Sequence, residues 1–326
     1  MFKQTAIFLI TLAILAANYP VEAQQPGKVP VIGFLLSSSK HVHGAHVDRL
    51  RQGLKELGYV DGRDIVLEYR FAGGNRKIAR ELAAEFVRRR VDVIVTVGIP
   101  STRFAAKATK TIPIVVAYAS NLLGSGLVAS MAKPGGNVTG ITVLTEELAA
   151  KRLELSTEAV PGISRVALIF GPNKSALKAV TQTRLAAEKF GVTLQELPVR
   201  SPADFADAFA AMAGQRAGAL ILVAGRVVSK NRRQIFELAG KRRIPTICWR
   251  PAMVRDGCLM GYGADRGRMV RQAARFVVKI LRGAKPGDLA VQRSMRLELV
   301  VNLKTAKALG ITFPPSILLR ATKVIE

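Results

Sequence analysis

Residues 92–141 read DVIVTVGIPSTRFAAKATKTIPIVVAYASNLLGSGLVASMAKPGGNVTGI, and this stretch decides the fold. An apolar β-branched run, Val93–Val97, stops at Gly98-Ile99-Pro100-Ser101. A small-residue helix is expected over roughly 101–109, followed by a second apolar run, Ile112–Ala117. Uninterrupted apolar runs that alternate with helices predict a parallel sheet covered on both faces. In such sheets ligands bind beyond the carboxyl ends of the strands. Two expected loops leave carboxyl ends here, 98–102 and 118–125. The first offers hydroxyls and free helix N–H groups, which suit a carboxylate or another oxygen-rich ligand. The second offers Ser120 and Asn121. The turn Lys133–Asn137 (KPGGN) then feeds a new strand, Val138–Val143, after which the chain is expected to leave its first lobe.

Outward from this stretch the same alternation continues. Upstream, Val31–Leu36 reads as a strand ending in Ser37-Ser38-Ser39. A helix follows, marked by Val47, Leu50, Leu54 and Leu57 and closed by Gly58. Ile65–Tyr69 is the second strand, and Ile78, Leu82 and Phe86 mark the next helix face. Downstream come a helix over 146–159, a strand 166–170 ending in Gly171-Pro172-Asn173, and a helix 175–190 ended by Gly191. A strand 193–197, a helix 203–212, a strand 219–223, a helix 230–241 and a strand 246–249 complete a second half built like the first. Leu259–Tyr262 and Leu297–Asn302 read as crossings between the halves, with a helix over 269–281 between them. The alternation predicts an α/β fold class, in two similar halves of parallel sheet.

The first residues carry a different pattern. Lys3 precedes an apolar core, Ala6–Ala17, too short to span a bilayer; Pro20 and the small-x-small site Val21-Glu22-Ala23 follow. That layout predicts a cleaved secretory signal over 1–23 and an exported protein starting near Gln24. No Cys follows the apolar core, which argues against a lipid anchor. Nothing after residue 24 approaches the roughly 18 unbroken apolar residues of a membrane helix.

At 326 residues, 49% apolar and 22% charged, the chain has material for two ordinary cores. The formal charge is +26 and the pI about 10.9. In a cytosolic protein that balance would point to nucleic acid. Here export removes that partner, and the basic residues are scattered over expected helices without interleaved aromatics for base stacking. Solvated helix faces and attraction to anionic surfaces or ligands are the two readings that remain.

Tests for chemistry return little. There is no GxxxxGK[ST], no G-x-S-x-G, and Gly261-x-Gly263 followed by Gly267 misses the dinucleotide spacing, so no cofactor is expected. The three histidines, His41, His43 and His46, fall together in a polar, Gly-containing stretch that offers no clear carboxylate partner, so no metal is expected there. They leave no general base elsewhere for a nucleophile. Cys248 and Cys258 can form a disulfide in an exported protein or pack as two small apolar residues. Asn137-Val138-Thr139 matches a glycosylation sequon, though the preceding Pro-Gly-Gly suits a hinge turn better.

Several longer segments carry a family resemblance. GIPS (98–101), AAKATKTIPIVVA (105–117) and GLVASMAKPGGNVTGIT (126–142) resemble ABC-transporter substrate-binding proteins of the tryptophan/tyrosine-binding type. GYGADRGRMVRQAARFVVKILRGAKPGDLAV (261–291) and LELVVNLKTAKALGITFPPSILLRATKVIE (297–326) resemble that family's C-terminal signature. The resemblance implies a type I periplasmic binding protein, an α/β fold of two Rossmann-like lobes with parallel sheets joined by a multi-segment hinge, with 28–141 and 262–297 in lobe 1 and 142–261 and 298–326 in lobe 2. It implies a monomeric, non-catalytic protein that clamps a small organic ligand, an amino acid or related carboxylate, and delivers it to an ABC permease. A sensory role at a receptor and a Rossmann-type enzyme are the alternatives.

The ligand-binding residues that the resemblance implies are Ser37, Ser38, Ile99, Pro100, Ser101, Thr102, Ser120, Asn121, Pro172, Asn173, Gly225, Arg226, Trp249 and Asp265. Trp249, the single Trp, can stack on a ligand or pack in the core. Asp265 can hold a ligand or cap the following helix. Two places depart from relatives that carry Asp-Pro: Ser120-Asn121 and Ala224-Gly225-Arg226. Both remove a carboxylate that could pair with a ligand ammonium, and the second adds a cation.

Overall fold

β1 (Val31–Leu36) is buried along nearly its whole length, with Ile32, Phe34, Leu35 and Leu36 fully enclosed, as a strand covered on both faces requires. The computed structural model describes residues 28–143 and 147–326. The expected secretory signal over 1–23 lies outside the described residues.

The first half continues through α1 (Lys40–Lys55), β2 (Val66–Phe71), α2 (Arg76–Arg88), β3 (Val93–Val97), α3 (Gly98–Ala108), β4 (Ile114–Ser120) and β5 (Val138–Val143). The second runs α4 (Glu147–Ala159), β6 (Arg165–Phe170), α5 (Lys174–Phe190), β7 (Thr193–Pro198), α6 (Asp204–Gly214) and β8 (Ala219–Leu222). It ends with α7 (Arg226–Lys230), α8 (Arg232–Lys241), β9 (Thr246–Cys248) and β10 (Met260–Ala264). The tail adds α9 (Arg266–Leu281), β11 (Gln292–Arg293), β12 (Leu297–Asn302), α10 (Leu303–Leu309), α11 (Pro315–Arg320) and β13 (Lys323–Ile325).

Two sheets result, in the orders β11-β5-β4-β3-β1-β2 and β13-β12-β10-β9-β8-β6-β7. Within each, the first five strands follow one scheme: β2-β1-β3-β4-β5 and β7-β6-β8-β9-β10, all parallel. Each sheet therefore has a switch point beside its first strand, between β1 and β3 and between β6 and β8, where the chain turns to opposite edges and leaves a crevice. Among the described residues the single antiparallel pair is β10 with β12, where Tyr262 lies opposite Leu299.

α9 returns to the first sheet. Its inner face buries Met269, Val270, Ala273, Ala274 and Val277 in one cluster with Ile32, Phe34, Leu50, Leu54 and Val95. The amphipathic period of the helix is what allows this, since apolar residues recur at spacings of three and four. The chain changes sheet after Val143, after Ala264 and after Arg293. Leu259–Tyr262 and Leu297–Asn302, read as crossings, are thus mostly or wholly strands of the second sheet. The two segments pair with each other, Met260 opposite Val301 and Ala264 opposite Leu297.

The turn Lys133–Asn137 is pinned from within. Asn137 Nδ2 donates to the Ile112 carbonyl at 2.8 Å and to that of Thr109 at 3.2 Å, which sets the entry of β4. Gly140, in β5, holds φ at +136°, and a Cβ there would lie 2.2 Å from the Val116 carbonyl, so only glycine lets the two strands pair.

Cys248 and Cys258 form a disulfide, with Cα atoms 6.5 Å apart and both residues fully buried. The bond decides between the two sequence readings. It closes the segment that holds Trp249, Arg250 and the 3₁₀ turn Pro251–Asp256. Sequence spacing alone carries no information on the approach of two Cα atoms.

Candidate functional site

A cavity of about 290 Å³ lies where the carboxyl ends of both sheets face each other. Ser37 follows β1, Gly98 follows β3, and Tyr118 and Ser120 end β4. From the second half, Ala224 follows β8, Trp249 follows β9 and Gly263 and Ala264 end β10. Both switch points thus contribute, as the parallel topology dictates.

Of the residues singled out from the sequence, Ser37, Ile99, Pro100, Ser120 and Trp249 line this cavity. Trp249 is only 4% exposed, so its ring serves the core and the cavity wall together. Ser101 and Thr102 do not line it. No loop separates β3 from α3: the helix starts at Gly98, and its hydroxyls turn back on their own backbone. Ser101 Oγ donates to the Val97 carbonyl at 3.0 Å, and Thr102 Oγ1 to the Gly98 carbonyl at 2.9 Å. Ser38 stands beside the cavity wall, its carbonyl accepting from Gly73 N at 3.4 Å.

The others take local structural positions. Asn121 adopts a left-handed φ of +49° and accepts from Gly124 N. Pro172 precedes α5, and Asn173 caps that helix by accepting from Ser175 N and Ala176 N. Gly225 precedes α7 in extended conformation. Arg226 is exposed and reaches the Gly74 carbonyl in the first half at 3.4 Å. Asp265 caps α9, accepting from Arg268 N at 3.1 Å, and lines a neighbouring cavity.

Sequence reasoning missed Tyr118, Leu148, Arg152, Ser175 and Arg266, all of which line the cavity. Arg152 matters most. It sits on the inner face of α4 with Ala149, Leu153 and Ser156, at helical spacings of three and four. Its Nε donates to the Tyr262 carbonyl at 3.0 Å. Its Nη2 is buried and has no hydrogen-bond partner among the described residues. Burial pushes its pKa down to about 9, with the Tyr262 group opposing and Arg266 adding to the shift. It therefore remains a cation at neutral pH. Such a group costs several kcal/mol when no anion balances it.

Arg266, the first residue of α9, lies over the Tyr118 ring at 5.1 Å from its centroid, a cation–π contact. Tyr118 in turn bonds through its hydroxyl to His46 Nε2 at 3.2 Å. Burial drives the His46 pKa down to about 4, and Arg266 and Arg250 push in the same direction. Among the described residues no Asp or Glu lines the cavity, and Arg152 and Arg266 are the cations that do. Among the described residues no group of three His, Cys, Asp or Glu is placed to hold a metal. The side chain of His43 lies outside them.

A family model described as "ABC transporter substrate binding protein" matches residues 28–325. A tyrosine-binding protein of Clostridioides difficile (strain R20291) is 26% identical over 276 residues, covering 83% of this chain and 79% of that one. The crystal structure of a conserved domain protein from Vibrio cholerae superposes with a TM-score of 0.81 at 30% identity, over 91% of this chain and 100% of the other. An ABC domain from Streptococcus pneumonia, solved in complex with L-Trp, gives the same TM-score at 26% identity, with the same coverage. The paired parallel sheets are those of type I periplasmic-binding-protein-like folds. With a match that spans nearly every described residue, the chain belongs to the ABC transporter substrate-binding protein family, a family of solute binders.

Proposed function

We propose that this protein is exported, captures a small organic carboxylate (an amino acid or a related acid) between two lobes, and delivers it to an ABC permease without chemical change. The observation that carries the ligand class is Arg152. It is a buried guanidinium whose Nη2 lacks a partner, beside a cavity that no carboxylate lines, among the described residues. A ligand carboxylate would supply the missing acceptor and the missing charge, and charge-assisted bonds of this kind are the stronger ones. The family relationship and the L-Trp complex of a relative support an amino-acid-like size and an aromatic partner for Trp249 and Tyr118. The two guanidinium groups of the lining, Arg152 and Arg266, argue for ligands whose charge is negative or balanced, not for amines.

In this reading Ser37 and Ser120 offer hydroxyls at the strand ends, and Ile99 and Pro100 supply apolar wall. Ser38, Ser101, Thr102, Asn121, Pro172, Asn173 and Gly225 hold the rim in shape. Lobe closure follows because the ligand touches groups from both sheets and so favours the state in which both are near.

A thermal-shift screen of amino acids, aromatic acids and amines tests the proposal. A ligand that binds only the folded state at 100 times its Kd stabilises by about 2.7 kcal/mol. Carboxylates are expected to raise the melting temperature and to shrink the radius of gyration in small-angle scattering. A best ligand that is cationic, or that lacks any carboxylate, refutes the reading.

A further inference from the structure

A second cavity, of about 430 Å³, opens on the other side of the strand-to-helix junction at Ala264–Arg266. Its walls bring together Arg49 from α1, Arg266 at the head of α9, Arg250 and Arg255 around the 3₁₀ turn, and Lys323 from β13. Asp265 and Glu298 are the acids among them, so five cations face two carboxylates. His46 adds no charge near neutrality, because its pKa lies at about 4.

Arg266 also lines the first cavity and lies over the Tyr118 ring, so the two cavities adjoin there. None of the five makes a salt bridge among the described residues, whereas nearby Arg232 bonds Asp256 at 2.6 Å. Asp265 is occupied as the cap of α9. The Arg49 side chain lies over the first turn of that helix, since a Cβ on Gly267 would meet its Nε at 3.6 Å. A cation there opposes the positive end of the helix dipole. Arg250 is crowded as well: burial first, then Arg266, pushes its pKa down to about 10. Like charges held this close, from elements of both sheets, repel unless an anion sits between them.

We propose that this cavity is a binding site for a phosphate-type oxyanion, distinct from the ligand cavity, that ties Arg49 and Arg266 on one side to Arg250, Arg255 and Lys323 on the other. The planar guanidinium forks present paired N–H donors that match the tetrahedral oxygens of such an anion. More than one negative charge is needed, because a monovalent anion leaves most of the surplus in place. The occupant bridges elements of both sheets and therefore biases how they sit together. The inference is independent of the ligand assigned to the first cavity.

The test is calorimetry and thermal melting of the full chain with sodium pyrophosphate, against potassium chloride at matched ionic strength. Pyrophosphate is expected to raise the melting temperature beyond the chloride control and to bind with measurable heat. The double variant Arg49→Gln/Arg255→Gln changes two exposed side chains and is expected to weaken binding by about tenfold or more. Lys323→Gln, also exposed, is expected to weaken it by about threefold and gives an independent reading if the double variant folds poorly. Arg152→Gln, at the other cavity, is expected to retain pyrophosphate binding. Equal shifts from chloride and pyrophosphate overturn the proposal. So does affinity that is undiminished in both surface variants, or lost in Arg152→Gln.

Discussion

Arg152 Nε donates to the Tyr262 carbonyl at 3.0 Å, and this one bond aims a guanidinium from α4 at the end of β10. Nη2 is left buried beside the cavity without a partner. The arrangement separates two quantities that usually move together. Removing the cation should weaken ligand binding, while the ligand-free fold loses an unbalanced buried charge. Arg152→Gln is therefore expected to weaken a carboxylate ligand by about 1.5–3 kcal/mol. The ligand-free melting temperature should hold or rise, as replacing buried ionic groups often does. Isothermal titration and calorimetric melting measure the two sides. A large fall in ligand-free stability with unchanged affinity would place Arg152 in the scaffold alone.

Acid should destabilise this protein partly through His46. Its pKa falls from 6.5 to about 4 on folding, chiefly because burial disfavours the imidazolium. Between those values the unfolded chain binds the proton and the folded chain does not, so stability rises with pH across the window. The contribution is fully present above about pH 6.5 and is lost as pH falls towards 4, by up to about 3 kcal/mol. Urea unfolding at pH 7 and pH 4.5 measures it. His46→Gln should flatten the dependence in that window.

Reduction of the Cys248–Cys258 disulfide should cost stability and disturb Trp249, which follows the first cysteine directly. The bond spans a sequence separation of 10, for which loop-closure entropy gives about 3 kcal/mol. A lower melting temperature in reductant is expected, with a red shift in tryptophan emission, readable because there is a single Trp. Cys248→Ser/Cys258→Ser should reproduce both changes without reductant.

Gly263 is set against the Trp249 carbonyl so closely that a Cβ would stand 2.4 Å from that oxygen. Gly263→Ala must push the Trp249 segment away from β10. The expected cost is about 1–3 kcal/mol of stability. A loss of ligand affinity should accompany it, since both residues line the cavity. Wild-type affinity in this variant would mean that the Trp249 wall does not touch the ligand.

The fold was legible wherever burial on both faces leaves an unbroken apolar run: Val31–Leu36, Val93–Val97 and Val138–Val143 are strands at their expected bounds. The two-residue strand β11 and the terminal β13 carry no such pattern, because both lie at sheet edges and are mostly exposed. At the site, strand-end hydroxyls were easy to find but hard to aim. Ser101 and Thr102 turn inward because α3 starts one residue after β3 ends. Arg152 did leave a signal: a charged residue on the apolar stripe Ala149, Leu153, Ser156 of its helix. What sequence could not supply was the Tyr262 carbonyl that receives it, 110 positions later.

The return of α9 to the first core bears on how the chain acquires its structure during synthesis. Until residues 266–281 have emerged, Ile32, Phe34, Leu50 and Leu54 lack the helix that covers them. The second sheet is equally incomplete, because β12 and β13 come from the last thirty or so residues and hold its far edge. Both sheets are therefore completed only by the C-terminal segment, and full closure of either core is expected to wait until almost the entire length has left the ribosome.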